Sequence, residues 1–306
     1  MHFEFTDLRL FVHIAETGNL THGAARAFLS APAASARIRA LEANLDCQLF
    51  YRGNKGVSLT QSGEMLLRHA RIILRQIDYL HDDFTGPDND KAGHVRIFAN
   101  TTAVTEFMPE VLARFLASRP GVTIDLQERL TQDIVRAIRD GSADLGIVSG
   151  DIDRTGLEAI RFSTDRLVLA VPEGHALTGR QSVAFADTLK WEHIGLHEGS
   201  TLLAFLRGLM ERNGYERVLR VKVRSFEAMC RMIEAGVGIG VLPESAAVRH
   251  TGTMRIALVG IEDAWALRER YVLVRSLDAL PGAGRALVDE LVQSASGGSR
   301  SLAPTG

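Results

Sequence analysis

The stretch from Leu20 to Glu42 constrains the fold of this chain most, because it contains two short helical patterns joined by a tight turn. Thr21 and Ser30 are the predicted N-caps of the two helices, since each hydroxyl can accept a backbone N–H that lacks a partner. Pro32 falls in the first turn of the second helix, where its missing N–H costs nothing. The pattern predicts a helix-turn-helix, which lays its second helix in the major groove of DNA.

The two sides of these helices have different predicted roles. Apolar residues of the first helix are expected to pack against the second: Ala24, Ala25 and Phe28 against Ile38 and Leu41. Ser35, Arg37 and Arg39 are left to face outward. Both arginines are expected to contact DNA, and Arg37 is the one favoured for a base edge.

A β-hairpin wing is predicted between Leu49 and Leu59, where short apolar stretches flank a Gly-Asn-Lys-Gly turn. Arg52, Asn54 and Lys55 lie at its tip, within reach of phosphates or of the minor groove. The alternative is that all three are ordinary solvated turn residues. Their position beside a helix-turn-helix favours contact with DNA.

A long helix is predicted from Gly63 to about Asp83, with apolar residues at alternating spacings of four and three. These are Leu66, Ala70, Ile73, Ile77 and Leu80. Such a seam suits the pairing of two helices across a dimer, although it would also suit packing on the protein's own body. The segment from Thr85 to Lys91 then breaks the pattern and is predicted to be a hinge.

From Gly93 onward, predicted strands and helices alternate, which indicates an α/β architecture with mostly parallel sheets. The predicted strands are 95–99, 122–126, 144–148, 166–171, 194–197, 219–223, 237–242 and 270–274. The predicted helices are 103–118, 131–140, 202–213, 226–235 and 284–292.

Polar residues follow a predicted strand and open a predicted helix at two places in this region. They are Asn100, Thr101 and Thr102 in the first half, and His197, Ser200 and Thr201 in the second. Free N–H groups at helix N-termini suit a carboxylate or another anion. No Arg or Lys flanks either turn, so a neutral polar ligand suits them nearly as well. The alternative role is capping of their own helices.

The N-terminal 5–63 segment resembles the DNA-binding domain of LysR-type transcriptional regulators. The matching residues are Leu8, Phe11, Ala15, Gly18, Asn19, Thr21, Ala24, Ala25, Leu29, Ser30, Pro32, Ala33, Ser35, Ile38, Leu41, Glu42, Leu45, Leu49, Phe50, Arg52, Leu59, Thr60 and Gly63. The chain departs from the family at Ala31 and Arg37, where Gln is usual, and at Ala36, where a basic residue is usual. A consensus operator therefore cannot be transferred to it.

The resemblance implies α/β folding with an N-terminal all-α winged helix-turn-helix, and an effector domain of two α/β subdomains like a periplasmic binding protein. It implies crossover strands near Ser163–Arg166 and Leu267–Tyr271, and effector contacts that also include Ser149 and Phe226. DNA contacts are expected on the motif residues Thr21, Ser30, Pro32, Ala33, Ser35, Arg37, Arg39, Arg52, Asn54 and Lys55. Paired linker helices and a dimer of dimers are implied, with operator DNA and RNA polymerase as candidate partners.

The expected boundaries follow from these segments. Residues 1–62 form the winged helix-turn-helix, 63–90 the linker helix and hinge, and 91–293 the regulatory domain, before a disordered tail over 294–306. Within the regulatory domain, subdomain I is expected at about 91–164 and 268–293, and subdomain II at about 165–267.

Composition bounds these expectations. The chain of 306 residues suggests two or three compact units. Its formal charge of −2 does not by itself indicate nucleic-acid binding. Between Leu20 and Thr60 there are five basic and two acidic residues. Because this positive charge is weak, several copies of the chain are expected to bind DNA together. No apolar run approaches the roughly 20 residues that span a bilayer. The acidic N-terminus lacks a signal-peptide core, so the cytoplasm is expected, with Cys47 and Cys230 reduced.

Other classes of function have weaker support. The Gly236–Gly240 glycines lack dinucleotide-loop spacing, His193 and His197 have a metal spacing only if helical, and no catalytic motif is present. We therefore expect neither metal nor cofactor beyond an unidentified small-molecule effector. The leading hypothesis is a ligand-responsive transcription factor. The alternatives are a small-molecule binding or transport protein and, more remotely, an enzyme.

Overall fold

The computed structural model describes residues 3–53, 56–84, 92–214 and 219–298. The chain divides into two compact units. One comprises Met1–Asn89 with Arg139–Ser142, and the other comprises Asp90–Ile138 with Ala143–Gly306. The predicted hinge at 85–91 and the end of the predicted tail at 299–306 lie outside the described residues.

The first unit contains the predicted helix-turn-helix, wing and long helix. Its elements are α1 Phe5–Thr17, α2 Leu20–Arg26, α3 Ala31–Leu45, β1 Phe50–Gly53, β2 Gly56–Leu59 and α4 Gln61–Phe84. The wing is the antiparallel β1–β2 pair, with Phe50 opposite Leu59 and Gly53 opposite Gly56. Its core joins helices and wing, since the Phe11 and Phe50 rings lie 5.0 Å apart.

The two predicted caps of the helix-turn-helix have different outcomes. Ser30 caps α3 as predicted, because its hydroxyl accepts the Ala33 N–H at 3.4 Å. The Thr21 prediction is wrong: Asn19 caps α2 by accepting the His22 N–H at 3.0 Å, and Thr21 lies exposed in the first turn. The helix starts earlier because α1 ends at Gly18 in the left-handed conformation, which leaves Asn19 extended at the cap position.

The predicted packing between α2 and α3 is confirmed for Ala24 but not for its neighbours. Ala24, Ile38 and Leu41 are buried in one core, whereas Ala25 is exposed. Phe28 is 95% exposed, with a φ of 56°. The turn takes this left-handed residue, and the chain then directs Leu29 rather than Phe28 toward the core.

The apolar seam of α4 divides into two parts. Ala70 is fully buried in the core of its own unit and Leu66 packs against that core, so own-body packing is correct for these two residues. Farther along, Ile73 is 39% exposed and Leu80 is 57% exposed, while Ile77 is half-buried. The pairing of α4 helices stays a prediction that concerns this second part.

The second unit begins with subdomain I. Its first elements are β3 Ala92–Ala99, a π-helical turn Ala103–Phe107, α5 Met108–Ala117, β4 Gly121–Glu128, α6 Thr131–Asp140 and β5 Leu145–Ser149. β3 is parallel to both β4 and β5. The π-helical turn replaces the start of the continuous helix predicted from 103, and such turns are frequent near functional sites.

The remaining elements form subdomain II and the return to subdomain I. They are β6 Glu158–Pro172, β7 Ser182–Val183, α7 Phe185–Thr188, β8 Ile194–Leu196, α8 Thr201–Arg212, β9 Val221–Val223, α9 Phe226–Glu234, β10 Gly240–Pro243, α10 Glu244–Thr251, β11 Ile256–Ile261, β12 Leu267–Val274 and α11 Gly282–Gly298. The sequence pattern does not indicate β7, α7, α10 and β11, because all four are eight residues or shorter and show weak periodicity.

Two long strands cross between the subdomains, as predicted. β6 pairs antiparallel with β12 from Glu158 to Arg166, and its Leu167–Pro172 half pairs with β10 and β11 in subdomain II. The prediction of mostly parallel sheets is correct for β3 with β4 and β5, for β7 with β11 and for β8 with β9. It is wrong for the crossover strands, because β6 is antiparallel to β10, β11 and β12, and β12 is antiparallel to β5. A chain that leaves a subdomain on one strand and returns on its neighbour must make that pair antiparallel.

Candidate functional site

The exposed face of α3 carries small residues and one free cation. Pro32, Ala33 and Arg39 are exposed, and Ser35 is half-buried. Among the residues that the structure describes, Arg39 makes no ion pair. The exposed Arg52 of the wing donates to the Ser35 hydroxyl at 3.4 Å, which holds the wing against α3. Asn54 and Lys55 lie outside the described residues.

Arg37 is half-exposed on α3 and is paired with acidic residues of its own unit. Its Nη1 donates to Asp7 Oδ1 at 2.6 Å and lies 3.5 Å from Glu4 Oε2. The hydrogen bond with Asp7 and the charge of Asp7 raise the pKa of Arg37. Arg37 thus stays at the surface as expected, with 39% of its side chain exposed, but Asp7 of α1 already neutralises its charge. A DNA contact by Arg37 requires this ion pair to open.

The subdomain I side of the second candidate site begins where β3 ends. Asn100 Oδ1 accepts the Ala103 N–H at 2.9 Å, and its Nδ2 donates to the Ser149 hydroxyl at 3.0 Å. Capping is thus one role of Asn100. The buried Thr101 hydroxyl donates to Glu128 Oε1 at 2.6 Å, whereas Thr102 faces an open crevice.

The subdomain II side is the N-terminus of α8. Ser200 occupies the N-cap position, but its side chain accepts no capping hydrogen bond. Its hydroxyl instead lies 3.4 Å from the Thr101 hydroxyl, so the two predicted turns meet although 99 residues separate them. Ser200 and Thr101 are both buried at this contact, and Thr201 beside them faces the crevice.

The crevice between the subdomains is open to solvent, and the empty space within it, counted together with its open mouth, is about 410 Å³. It is lined by Asn100, Thr102, Thr131, Ser149, Asp165, Leu167, Thr201, Leu202, Pro243 and Arg268. The structure does not bring His197 or Phe226 to this lining. His197 Nδ1 accepts the Gly199 N–H of its own loop at 3.2 Å, and Phe226 is buried in the subdomain II core.

Three polar residues of the lining were missed from the sequence, and two of them lie on the crossover strands. Arg268 Nη2 donates to the Ser149 carbonyl at 2.7 Å, and its guanidinium carbon lies 3.9 Å from the centre of the Phe205 ring. Burial lowers the pKa of Arg268 to about 10. The crossover ranges predicted from the sequence contain both Arg268 and Asp165, so those ranges could have identified the two residues as candidates. The third, Thr131, begins α6.

Asp165 is the acidic residue of the crevice lining, and it is paired. It forms an ion pair with Arg270, and its Oδ2 also accepts the Ser245 hydroxyl at 2.9 Å. Arg270 lies with its guanidinium carbon 4.7 Å from the centre of the Phe107 ring. Desolvation lowers the pKa of Arg270, while the charge of Asp165 opposes that change.

Within the described ranges, no group of three or more His, Cys, Asp and Glu side chains has a metal-binding arrangement. None of the helices within these ranges is both long enough and apolar enough to cross a bilayer.

Comparisons with known proteins agree with this architecture. Residues 5–64 match the family model of the bacterial regulatory helix-turn-helix protein, lysR family, and residues 88–296 match the LysR substrate binding domain. The HTH-type transcriptional regulator YnfL of Escherichia coli K12 is 27% identical over 267 residues, which cover 86% of this chain and 90% of the relative.

Solved structures share the fold over nearly the whole chain. A full-length OxyR variant from Pseudomonas aeruginosa has a TM-score of 0.74 at 21% identity, covering 96% of this chain and 95% of its own. Full-length CbnR, solved in complex with its target DNA, has a TM-score of 0.52 at 24% identity and covers 96% and 100%. With a winged helix-turn-helix and a two-subdomain effector domain that both match their models, the chain belongs to the LysR family of DNA-binding transcriptional regulators.

Proposed function

We propose that this regulator changes its DNA binding when a small molecule enters the crevice between its two regulatory subdomains. The observation that carries the proposal is the meeting of the turns at Thr101–Thr102 and Ser200–Thr201 across that crevice. Residues of both subdomains line it, including Asn100, Thr102 and Ser149 on one side and Thr201 on the other. A ligand there would contact both subdomains at once.

The crossover strands provide a hinge for such a response. β6 and β12 are the paired strands that continue from one subdomain into the other. A ligand that binds one arrangement of the subdomains more tightly shifts the population toward it. The Thr101 and Ser200 hydroxyls lie 3.4 Å apart, and this distance would change when the two subdomains close or open.

The DNA contact is proposed for α3 and the wing. Within the described part of α3 and the wing, the exposed Arg39 and Arg52 are cations available to phosphates or base edges, and the small residues of α3 allow close approach. Because this charge is modest, we propose a dimer of dimers that engages operator DNA through several copies. DNA as the partner supports a cytoplasmic location.

Ligand control is tested with two N-cap serines of subdomain II. Ser225 caps α9 by accepting the Ala228 N–H at 3.2 Å, whereas Ser200 makes no such bond. Ser200→Ala and Thr102→Val should abolish the response to an effector and keep operator binding. Ser225→Ala should keep the response and lose about 1 kcal/mol of stability.

The measurement combines a thermal-shift ligand screen with gel shifts on the DNA upstream of this chain's own gene. A binding ligand raises the melting temperature because it binds the folded state. A normal effector response in Ser200→Ala and Thr102→Val would place the effector site elsewhere. Loss of DNA binding in both variants would show that these residues are structural.

Assembly is tested on the exposed end of α4. Ile73→Asp combined with Leu80→Asp should dissociate the oligomer in sedimentation experiments, because pairing would bury both charges. An unchanged sedimentation coefficient would place the interface elsewhere. Arg68→Asp, on an exposed residue of the same helix, is the control for added charge.

A further inference from the structure

Arg268 lies in the crevice without a carboxylate partner among the described residues. Its two contacts are neutral: the Ser149 carbonyl at 2.7 Å and the Phe205 ring at 3.9 Å. The acidic residue of the lining, Asp165, is engaged by Arg270 and Ser245. The crevice therefore carries one positive charge that the protein does not neutralise.

The position of Arg268 is built into the fold. In the strand register, Arg268 itself pairs with Asp165 of β6, and from Arg270 onward its strand β12 also pairs with β5. Gly150, at a φ of 84°, makes room for the guanidinium, because a Cβ there would come within 2.5 Å of Arg268 Nη2. A residue other than glycine would thus be strained in its backbone and would collide with this side chain.

A buried cation without a counter-charge has a physical cost. Removing the charge from water disfavours the protonated form unless an opposite charge compensates, and the lowered pKa of Arg268 has this cause. A guanidinium offers five N–H donors in a planar arrangement, which matches the two oxygens of a carboxylate. A bound carboxylate would supply the missing counter-charge.

We infer that the effector of this regulator is a small carboxylate and that Arg268 binds it. The inference rests on the proposed function, because it concerns the same crevice. Hydroxyls of Thr102, Ser149 and Thr201 line the space around the guanidinium. The N-terminus of α8 adds N–H groups that have no partner within the helix. One unneutralised cation suits a monoanion better than a dianion such as sulfate.

Trp265 offers a local signal for occupancy. Its ring packs against Phe205 with the centroids 5.7 Å apart, and the Phe205 ring also contacts Arg268. A ligand that draws the guanidinium away from Phe205 changes the surroundings of this indole. The chain has two tryptophans, so Trp191→Phe leaves Trp265 as the single tryptophan reporter.

The experiment titrates the full-length Trp191→Phe chain with matched pairs of acid and amide. The pairs are acetate and acetamide, lactate and lactamide, and benzoate and benzamide, with sulfate as an inorganic anion. At least one acid should bind at least tenfold more tightly than its amide. Arg268→Gln should weaken that acid by about 10- to 100-fold, the range for a charge-assisted hydrogen bond. Arg166→Gln, on an exposed residue of β6, should leave its affinity unchanged.

Several outcomes would overturn the inference. These are a panel in which no acid binds more tightly than its amide, sulfate binding as tightly as the best acid, and full acid affinity in Arg268→Gln. A neutral effector that needs Thr102 but not Arg268 would agree with the proposed function and would exclude a carboxylate as the effector. An acid that binds through Arg268 without changing operator binding would support the carboxylate site and contradict the proposed regulation.

Discussion

Arg268 and Arg270 lie two positions apart on β12, but the protein neutralises the charge of Arg270 and leaves that of Arg268 uncompensated. Arg270 is paired with Asp165, and the Ser245 hydroxyl completes that cluster. Arg268 faces the crevice with only a carbonyl and an aromatic ring as neighbours. The first arginine joins parts of the protein to each other, and the second is available to a ligand.

The recognition helix α3 repeats this contrast. Arg37 is held by Asp7 at 2.6 Å, while Arg39, two residues on, is exposed. In both regions a partner from a distant part of the chain determines which arginine is neutralised. A formal charge read from the sequence is therefore not the charge that a ligand or DNA would meet.

The largest expected effect concerns the stability of the paired region. Arg270→Met leaves the Asp165 carboxylate, whose side chain is only 11% exposed, without its counter-ion and should lower the free energy of unfolding by about 3 kcal/mol. Arg268→Met removes an uncompensated charge and should change it by less than about 1 kcal/mol. Tryptophan fluorescence during urea unfolding measures both, because Trp191 and Trp265 belong to the second unit. Equal losses would mean that Arg268 is also structural, and the comparison would fail.

A smaller effect is expected on DNA binding by α3. Arg39→Ala should lower operator affinity about tenfold. The slope of log affinity against log salt concentration should become shallower by about one, as expected for the loss of one phosphate contact. Arg37→Ala should have a weaker effect, since Asp7 already holds that guanidinium. Asp7→Asn should release Arg37 and strengthen binding. Fluorescence anisotropy at several salt concentrations measures all three, and a greater loss from Arg37→Ala than from Arg39→Ala would reverse the assignment.

The smallest effect is a pH dependence of carboxylate binding. With the pKa of Arg268 at about 10, its cation is complete at neutral pH and is lost as pH rises through that value. Acid affinity should be constant from about pH 7 to 9 and fall about twofold by pH 10. Asp165 and Arg270 also face this region, so Arg268→Lys, whose ammonium is a different titrating group, is the comparison. Constant affinity through about pH 10.5 would argue against Arg268 as the partner.

The sign of the accompanying stability change follows from the same pKa. Because folding lowers the pKa of Arg268 from its usual value to about 10, the folded chain begins to hold fewer protons than the unfolded chain as pH rises through about 10. The charge penalty of the folded state is therefore present at neutral pH and relaxes as pH rises. A bound carboxylate would remove the penalty at neutral pH.

Local patterns predicted much of the fold. The cap at Ser30, the wing, and helix α6 at Thr131–Asp140 follow from nearest neighbours along the chain and were correct. Errors arose where a distant contact or the path of the backbone decided the outcome. Phe28 turned outward because the turn needed a left-handed residue, and Ala70 joined the core of its own unit rather than an interface.

The candidate crevice was predicted in part for the same reason. Asn100, Thr102, Ser149 and Thr201 line it, because strand ends and helix starts are visible in the sequence. His197 and Phe226 do not, since the side-chain directions in a loop and a core depend on surrounding packing. Arg268 was missed because no local signal indicates which residues of a crossover strand face the space between subdomains.

The sequence by itself determined the family, the winged helix-turn-helix and the alternation of strands and helices, because these depend on caps, turns and hydrophobic period. Only the tertiary structure decided which charges remain free. Pairing at a few ångströms joins residues such as Asp7 and Arg37, or Asp165 and Arg270, that lie 30 and 105 positions apart. Coulomb attraction and desolvation depend on distance in space and on burial, and neither is visible in the order of residues.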